Sequence, residues 1–127
     1  MLRTVMLAGL LMVMCATSRS ATWDSIYTSS LGTISVDRSA LRKEGPLVDA
    51  MLLIVLRESG NLSGTVYDKR SVKLVINCAT RQYSMMSESP WLHGKLVKEW
   101  QGGPSEDFDI DPDKPLADAA DVLCGKA

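Results

Sequence analysis

The sequence contains few of the residues from which catalytic sites are usually built. His93 is the only histidine among the 127 residues. A multi-histidine metal centre therefore lacks its ligands, and a nucleophilic triad has only one candidate histidine base. The sequence also has no G-x-S-x-G elbow, no P-loop and no G-x-G-x-x-G motif. We therefore expect a protein that is not an enzyme and needs no cofactor, with His93 in a loop or at a strand edge.

A series of alternate aspartates is the nearest approach to a metal site. The series consists of Asp107, Asp109, Asp111 and Asp113. Calcium loops use this alternate spacing, but they also need a glycine at the sharp turn and a glutamate at the twelfth position. Counted from Asp109, those positions are Lys114 and Ala120. We therefore interpret the series as a solvated acidic loop and expect no bound metal.

The chain also lacks an apolar run long enough to cross a membrane. The run Val5–Ala16 has 12 residues, whereas a spanning helix needs about 20. Arg3 precedes this run and small residues follow it, which is the pattern of an export signal. We predict a signal peptide at residues 1–20 and one mature domain at residues 21–127, without a transmembrane segment. The mature protein would then lie in the periplasm or at the outer membrane and cell surface.

Lipid anchoring at Cys15 is the alternative fate for the N-terminal segment. A lipid-attachment signal normally has a small side chain before the cysteine, and here that residue is Met14. The sequence therefore favours cleavage near residue 20 over attachment of a lipid.

Removal of the signal peptide leaves a mildly acidic chain with two cysteines. Without Arg3 and Arg19 the mature chain has 12 basic and 15 acidic residues, a net charge of −3, which argues against a nucleic-acid partner. Cys15 is removed as well, so Cys78 and Cys124 remain. Exported cysteines normally pair, and we predict a disulfide between these two. Two separate buried thiols are the alternative.

Alternating apolar and polar residues predict a sheet-rich domain. In Ser71–Arg81, the residues Val72, Leu74 and Ile76 alternate with more polar ones, which is typical of a half-buried strand. The other predicted strands are Ala21–Ser30, Thr33–Asp37, Leu47–Arg57, Thr80–Met86 and Leu92–Trp100. We expect a polar corner at Arg38–Gly45, a hairpin loop at Asn61–Gly64, and the end of the sheet at Gly102–Pro104.

The longest apolar run of the mature chain lies inside one of these strands. Ala50–Leu56 has seven apolar residues in succession, so a strand here would be apolar on both faces. One face would carry Met51, Leu53 and Val55. A chain with a single helix can cover only one face of its sheet. We therefore hypothesise a homodimer or a strongly curled sheet.

The C-terminal segment has the pattern of one short amphipathic helix. We predict Asp113 as its N-cap, Pro115 in its first turn and Gly125 at its end. Apolar residues at helical spacing form one face: Leu116, Ala119, Ala120 and Leu123. The predicted fold class is therefore mainly β with one C-terminal helix, an α+β arrangement.

Basic residues are concentrated in the second half of the mature chain. They are Lys69, Arg70, Lys73, Arg81, Lys95 and Lys98. Strand alternation would place some of them on the solvent face of a sheet, where they could meet an anionic partner. The same charges would also serve simply to keep a sheet soluble.

The order of several short motifs resembles the bacterial surface-adhesin protein E family. These motifs are Trp23, then Ile34–Asp37 with Ser39 and Gly45, then Ser71 before a strand ending in Cys78-Ala79-Thr80-Arg81, then Pro115 and Val122-Leu123-Cys124. The resemblance implies about six antiparallel strands, one C-terminal helix packed on one face, bridged Cys78 and Cys124, and a tendency to dimerise. The best-known member is an outer-membrane adhesin that binds host vitronectin, laminin and plasminogen. No motif here matches a host-contact site, so the binding residues stay unassigned.

These observations lead us to expect an exported, non-enzymatic protein that binds a protein partner. The family resemblance implies that this partner belongs to the host extracellular matrix. Two alternatives stay open. One is a periplasmic inhibitor or accessory module of an envelope enzyme. The other is a small-ligand binder that uses the side of the sheet beneath the helix.

Overall fold

The protein forms one open β-sheet with a single C-terminal helix. The computed structural model describes residues 21–62 and 64–125, so the predicted signal peptide and Cys15 lie outside the described residues. The strands are β1 (Trp23–Thr28), β2 (Gly32–Asp37), β3 (Arg42–Glu44), β4 (Leu47–Leu62), β5 (Thr65–Asn77), β6 (Gln82–Leu92), β7 (Lys95–Leu96) and β8 (Phe108–Asp109), and the helix is α1 (Pro115–Leu123). The predicted fold class is confirmed.

Six strands follow one another across the sheet, and two short strands lie beside this path. The order is β1-β2-β4-β5-β6-β7, with β3 paired to β4 and β8 paired to β6. Every strand pair in the described ranges is antiparallel. The long hairpin of β4 and β5 therefore forms the centre of the sheet.

The core lies between this central hairpin and α1. Leu52 is paired with Val72, and both are buried, as the alternation in Ser71–Arg81 predicted. The buried side chains of α1 belong to the same hydrophobic cluster, with Ala119 and Ala120 fully buried. Alanine lets the helix backbone approach the sheet closely, so one face of the sheet is covered at this point.

The helix begins one residue later than the sequence pattern indicated. Lys114 is the N-cap, and its side chain makes no capping bond. The prediction of Asp113 as N-cap is wrong because Pro115 is the first helical residue, which makes its immediate predecessor the cap. Asp113 instead donates its backbone N–H to the Asp111 carboxylate at 3.0 Å. The helix stops before Gly125, which has a φ of +76° and ends it as predicted.

The end of the sheet differs from the prediction. β6 runs on to Leu92, so the bounds of the strand predicted at Leu92–Trp100 are wrong: that segment pairs with β6 only at Lys95–Leu96 and at a single bridge from Trp100 to Glu88. His93 and Gly94 have φ angles of +51° and +79°, and this turn leaves a partner strand of only two residues, β7. The sheet also does not end at Gly102–Pro104, because β8 pairs with β6 beyond it.

The C-terminal segment is joined to the sheet at two points. A disulfide links Cys78, just after β5, to Cys124, just after α1, with 5.8 Å between their Cα atoms. Close to it, Arg81 Nη1 lies 2.8 Å from Asp121 Oδ1 on the helix. The two contacts hold α1 against the end of the central hairpin. In the ranges that the structure describes, no helix has the length and apolar character required to cross a membrane.

Candidate binding surface

The side of the sheet opposite α1, here called the open face, carries an apolar strip. β4 presents Met51, Leu53 and Val55 to this side, since their neighbours Ala50 and Leu52 face the helix. Met51 and Leu53 are half-buried, and Val55 is 43% exposed. The predicted two-sided apolar strand is therefore present; within the described residues its helix side is buried at Ala50 and Leu52, whereas its open side has no fully buried residue.

Hydroxyl side chains border this strip on neighbouring strands. A row of directly paired residues crosses five strands of the open face: Ser25, Ser35, Leu53, Ser71 and Ser89. Serine side chains are short, so this row forms a level polar surface around Leu53. The sequence contains these serines, but only the strand register brings them into one row.

Two of the predicted basic residues lie on the open face. Lys69 is paired with Val55 and Lys73 with Met51, so each cation lies beside the apolar strip. Lys69 Nζ lies 5.5 Å from the ring centroid of Trp91, which fixes it at the surface by a cation–π contact.

The other basic residues have different places. Arg70 lies on the helix-bearing face, and Arg81 is paired with Asp121 of the helix. Lys95 and Lys98 are exposed in and after β7. The prediction of one basic face therefore holds for Lys69 and Lys73.

A polar recess of about 340 Å³ adjoins the strip. Its lining includes Arg42, Asp49, Lys73 and, at its edge, Asp37. It contains charges of both signs, so it can accept a polar group of a partner without a large charge mismatch.

Asp37 is a structural residue at the edge of this recess. Its carboxylate accepts hydrogen bonds from the Ser39 hydroxyl at 2.7 Å, the Ser39 backbone N–H at 3.0 Å and the Thr22 backbone N–H at 3.1 Å. The Ser39 hydroxyl bond, supported by the backbone bonds, holds the pKa of Asp37 below its ordinary value. Asp37 thereby caps the short 3-10 helix Arg38–Ala40 and fixes the chain beside the open face.

The remaining sequence candidates are not part of the apolar strip. His93 is 86% exposed in the turn after β6, and its backbone N–H bonds Asp68 Oδ2 at 3.1 Å. In the acidic series, Asp109 accepts a bond from Gln82, and Asp111 accepts one from the Asp113 backbone.

Comparison with known proteins identifies a shared fold. No protein-family model matches the chain, and no curated protein matches its sequence. Among solved structures, crystal form II of Haemophilus influenzae protein E is similar, with a TM-score of 0.53 and 11% identity over 84% of this chain and 96% of that one. Protein E from non-typeable Haemophilus influenzae has a TM-score of 0.52 and 12% identity, covering 84% of this chain and 79% of that one. The fold is therefore similar to that of protein E over most of the chain.

Proposed function

We propose that this protein is exported and binds another protein through the open face of its sheet, acting as a surface adhesin without enzymatic activity. The similarity of its fold to protein E and the order of its sequence motifs support this proposal. Host extracellular matrix is the partner class that the family resemblance implies.

The apolar strip inside a polar surface is the observation that carries the proposal. A solvent-facing side of an antiparallel sheet is normally polar, yet Val55 is 43% exposed at the middle of this one. Apolar residues surrounded by polar ones are the arrangement found at protein–protein interfaces. Strand pairing holds the strip in place, so little conformational entropy would be lost on binding.

Binding to immobilised vitronectin and laminin tests the proposal. We expect saturable binding that weakens as salt rises, because Lys69 and Lys73 would contribute electrostatically. The double variant Lys69→Glu/Lys73→Glu should bind about tenfold more weakly, through slower association and unfavourable charge at the interface.

The matched control reverses two lysines on the other side of the sheet. Lys43 and Lys95 are exposed, and their paired residues, Val48 and Leu92, face away from the open face. Lys43→Glu/Lys95→Glu changes the net charge equally and should leave binding unchanged. Equal weakening by both double variants would mean that net charge alone acts, and the open face would lose its role.

Cell fractionation with N-terminal sequencing tests export and location. We expect a mature chain that begins near residue 21 and is recovered at the cell surface. A strictly periplasmic product would contradict contact with a host and would favour the alternative role as an inhibitor or accessory module of an envelope enzyme.

We propose that a second copy of the chain covers the strip in the unbound protein, as a homodimer through the open face that must dissociate before the partner binds. The substitution Leu53→Lys places a charge in the centre of the strip and should shift sedimentation at micromolar concentration from dimer to monomer. A wild-type chain that sediments as a monomer at micromolar concentration would contradict this dimer.

A further inference from the structure

The helix-bearing face contains a cavity of about 480 Å³ that α1 leaves uncovered. The reason is length: α1 has nine residues, about 14 Å, whereas β4 has 16 residues and extends about 53 Å. Beyond the first turn of the helix, the sheet forms an apolar floor that includes Ile34, Ile54 and Val72. Tyr67 and Tyr83 contribute to its walls. The volume lies within the range of about 300–1,000 Å³ typical of small-molecule sites.

One ion pair interrupts this apolar lining. Arg70 is paired with Ile54 and Glu88 with Val72, so both charged side chains lie on the cavity side of the sheet. Arg70 Nη1 lies 2.9 Å from Glu88 Oε1, and the side chains are only 23% and 13% exposed. Such a neutral pair needs no counter-ion from a ligand.

Arg70 also has an unused donor. Its Nε is buried and has no hydrogen-bond partner within the described residues. The Tyr67 ring lies 5.6 Å from the guanidinium carbon and limits its rotation. Nε itself has no accessible surface, so a ligand in the cavity would meet the exposed 23% of the Arg70 side chain instead.

The surrounding charges define the kind of acceptor. Arg70 is already neutralised by Glu88, and the remaining charged lining is Asp109, Asp111 and Lys114, which is net acidic. A carboxylate ligand would be repelled by Glu88 and by this rim. An uncharged carbonyl can accept a hydrogen bond from the accessible part of the Arg70 guanidinium without that cost.

We propose that this cavity binds an uncharged amphiphile, with an aliphatic chain on the floor around Ile54 and an ester-type carbonyl directed to the Arg70 guanidinium. This site is on the opposite side of the sheet from the proposed protein-binding surface, so either can fail without the other.

Displacement of the fluorescent dye N-phenyl-1-naphthylamine provides the test. The dye should bind the wild-type protein with micromolar affinity, and methyl octanoate should displace it at least tenfold better than octanoate. Failure of the dye and the ester to bind, or equal displacement by ester and carboxylate, would overturn the proposal.

Two tryptophan substitutions on the same strand locate the binding site. Ile54→Trp should fill the cavity and reduce dye binding at least tenfold. Val55→Trp places the same side chain on the open face and should leave dye binding unchanged. Equal effects of the two variants, with the sheet intact by circular dichroism, would exclude this cavity.

A third variant tests the carbonyl contact without depending on Ile54. Arg70→Met/Glu88→Leu removes both charges together, so no unpaired charge remains buried. The dye has no carbonyl, and its affinity should change less than twofold, whereas methyl octanoate should bind about tenfold more weakly. Unchanged affinity for the ester would refute the role of Arg70.

Discussion

Single residues in this protein act mainly through the partners that folding brings to them. The sequence contains Asp37 and Ser39 two positions apart, as in the motif that carries the family resemblance. Only the structure adds the Thr22 backbone N–H as a third donor, because β1 returns the chain to this point. Arg70 gains a partner that its sequence neighbours do not indicate. It lies near other basic residues in the sequence, but the strand register places it on the helix-bearing face, where it pairs with Glu88.

The lowered pKa of Asp37 predicts a specific dependence of stability on pH. Since the folded pKa is below the unfolded value of 3.8, the ionised carboxylate stabilises the fold above pH 3.8, and this contribution is lost as the pH falls through the folded pKa. Ser39→Ala should move the pKa back towards 3.8 and reduce this dependence. NMR titration of the Asp37 carboxyl carbon measures the shift. An unchanged Asp37 pKa in Ser39→Ala would show that the hydroxyl bond is not its main cause.

At the level of elements, the sequence predicts those strands and helices whose apolar and polar residues alternate with a regular period. It identified the central strand through Val72, Leu74 and Ile76, and the helix through Ala119, Ala120 and Leu123, because burial on one face leaves a periodic pattern. It missed β3 and β8, which have only three and two residues and no buried side chain. β8 depends on β6, which is distant in sequence, whereas β3 forms a tight hairpin with β4 but is too short to show a periodic pattern. The apolar strip could be predicted, but the serine row and the cavity depend on register and on the length of the helix.

The contact between β2 and β4 predicts an unusual sensitivity at one glycine. Gly32 is paired with Leu56, and a Cβ at Gly32 would collide with the backbone carbonyl oxygen of Val55. Gly32→Ala should therefore lower the free energy of unfolding by about 2–4 kcal/mol, since backbone on both strands must move. Urea unfolding measures this loss.

Gly45→Ala is the control for the glycine prediction. Gly45 has a φ of +56° but open space around its Cβ position, so alanine should cost about 1 kcal/mol from backbone conformation alone. Equal losses at the two positions would contradict the close approach of β2 to β4.

For the whole molecule, one short helix must stabilise one face of a large sheet. A helix of nine residues is marginal by itself, so its stability depends on docking to the sheet. The disulfide and the Arg81–Asp121 pair both join the helix to the region after β5. A partly exposed ion pair of this kind contributes on the order of 1 kcal/mol, so the covalent link is the dominant connection.

Removal of that link should therefore affect the helix before it affects the sheet. The bridge joins residues 46 positions apart, and in the chain-entropy model it stabilises the protein by about 4 kcal/mol. We expect Cys78→Ala/Cys124→Ala to lose a stability of this order, and its amide hydrogens at 117–123 to exchange far faster, while those of β4 and β5 stay the best protected. In the predicted mature chain, which begins after Cys15, the double substitution leaves no free thiol. The ion-pair variant Asp121→Asn serves as the control with a loss below about 1 kcal/mol. Because the helix also closes one end of the cavity, dye binding should weaken in the same cysteine variant. Uniform loss of protection over sheet and helix would show instead that the two unfold as one unit, and the disulfide would then stabilise the whole domain rather than the docking of its helix.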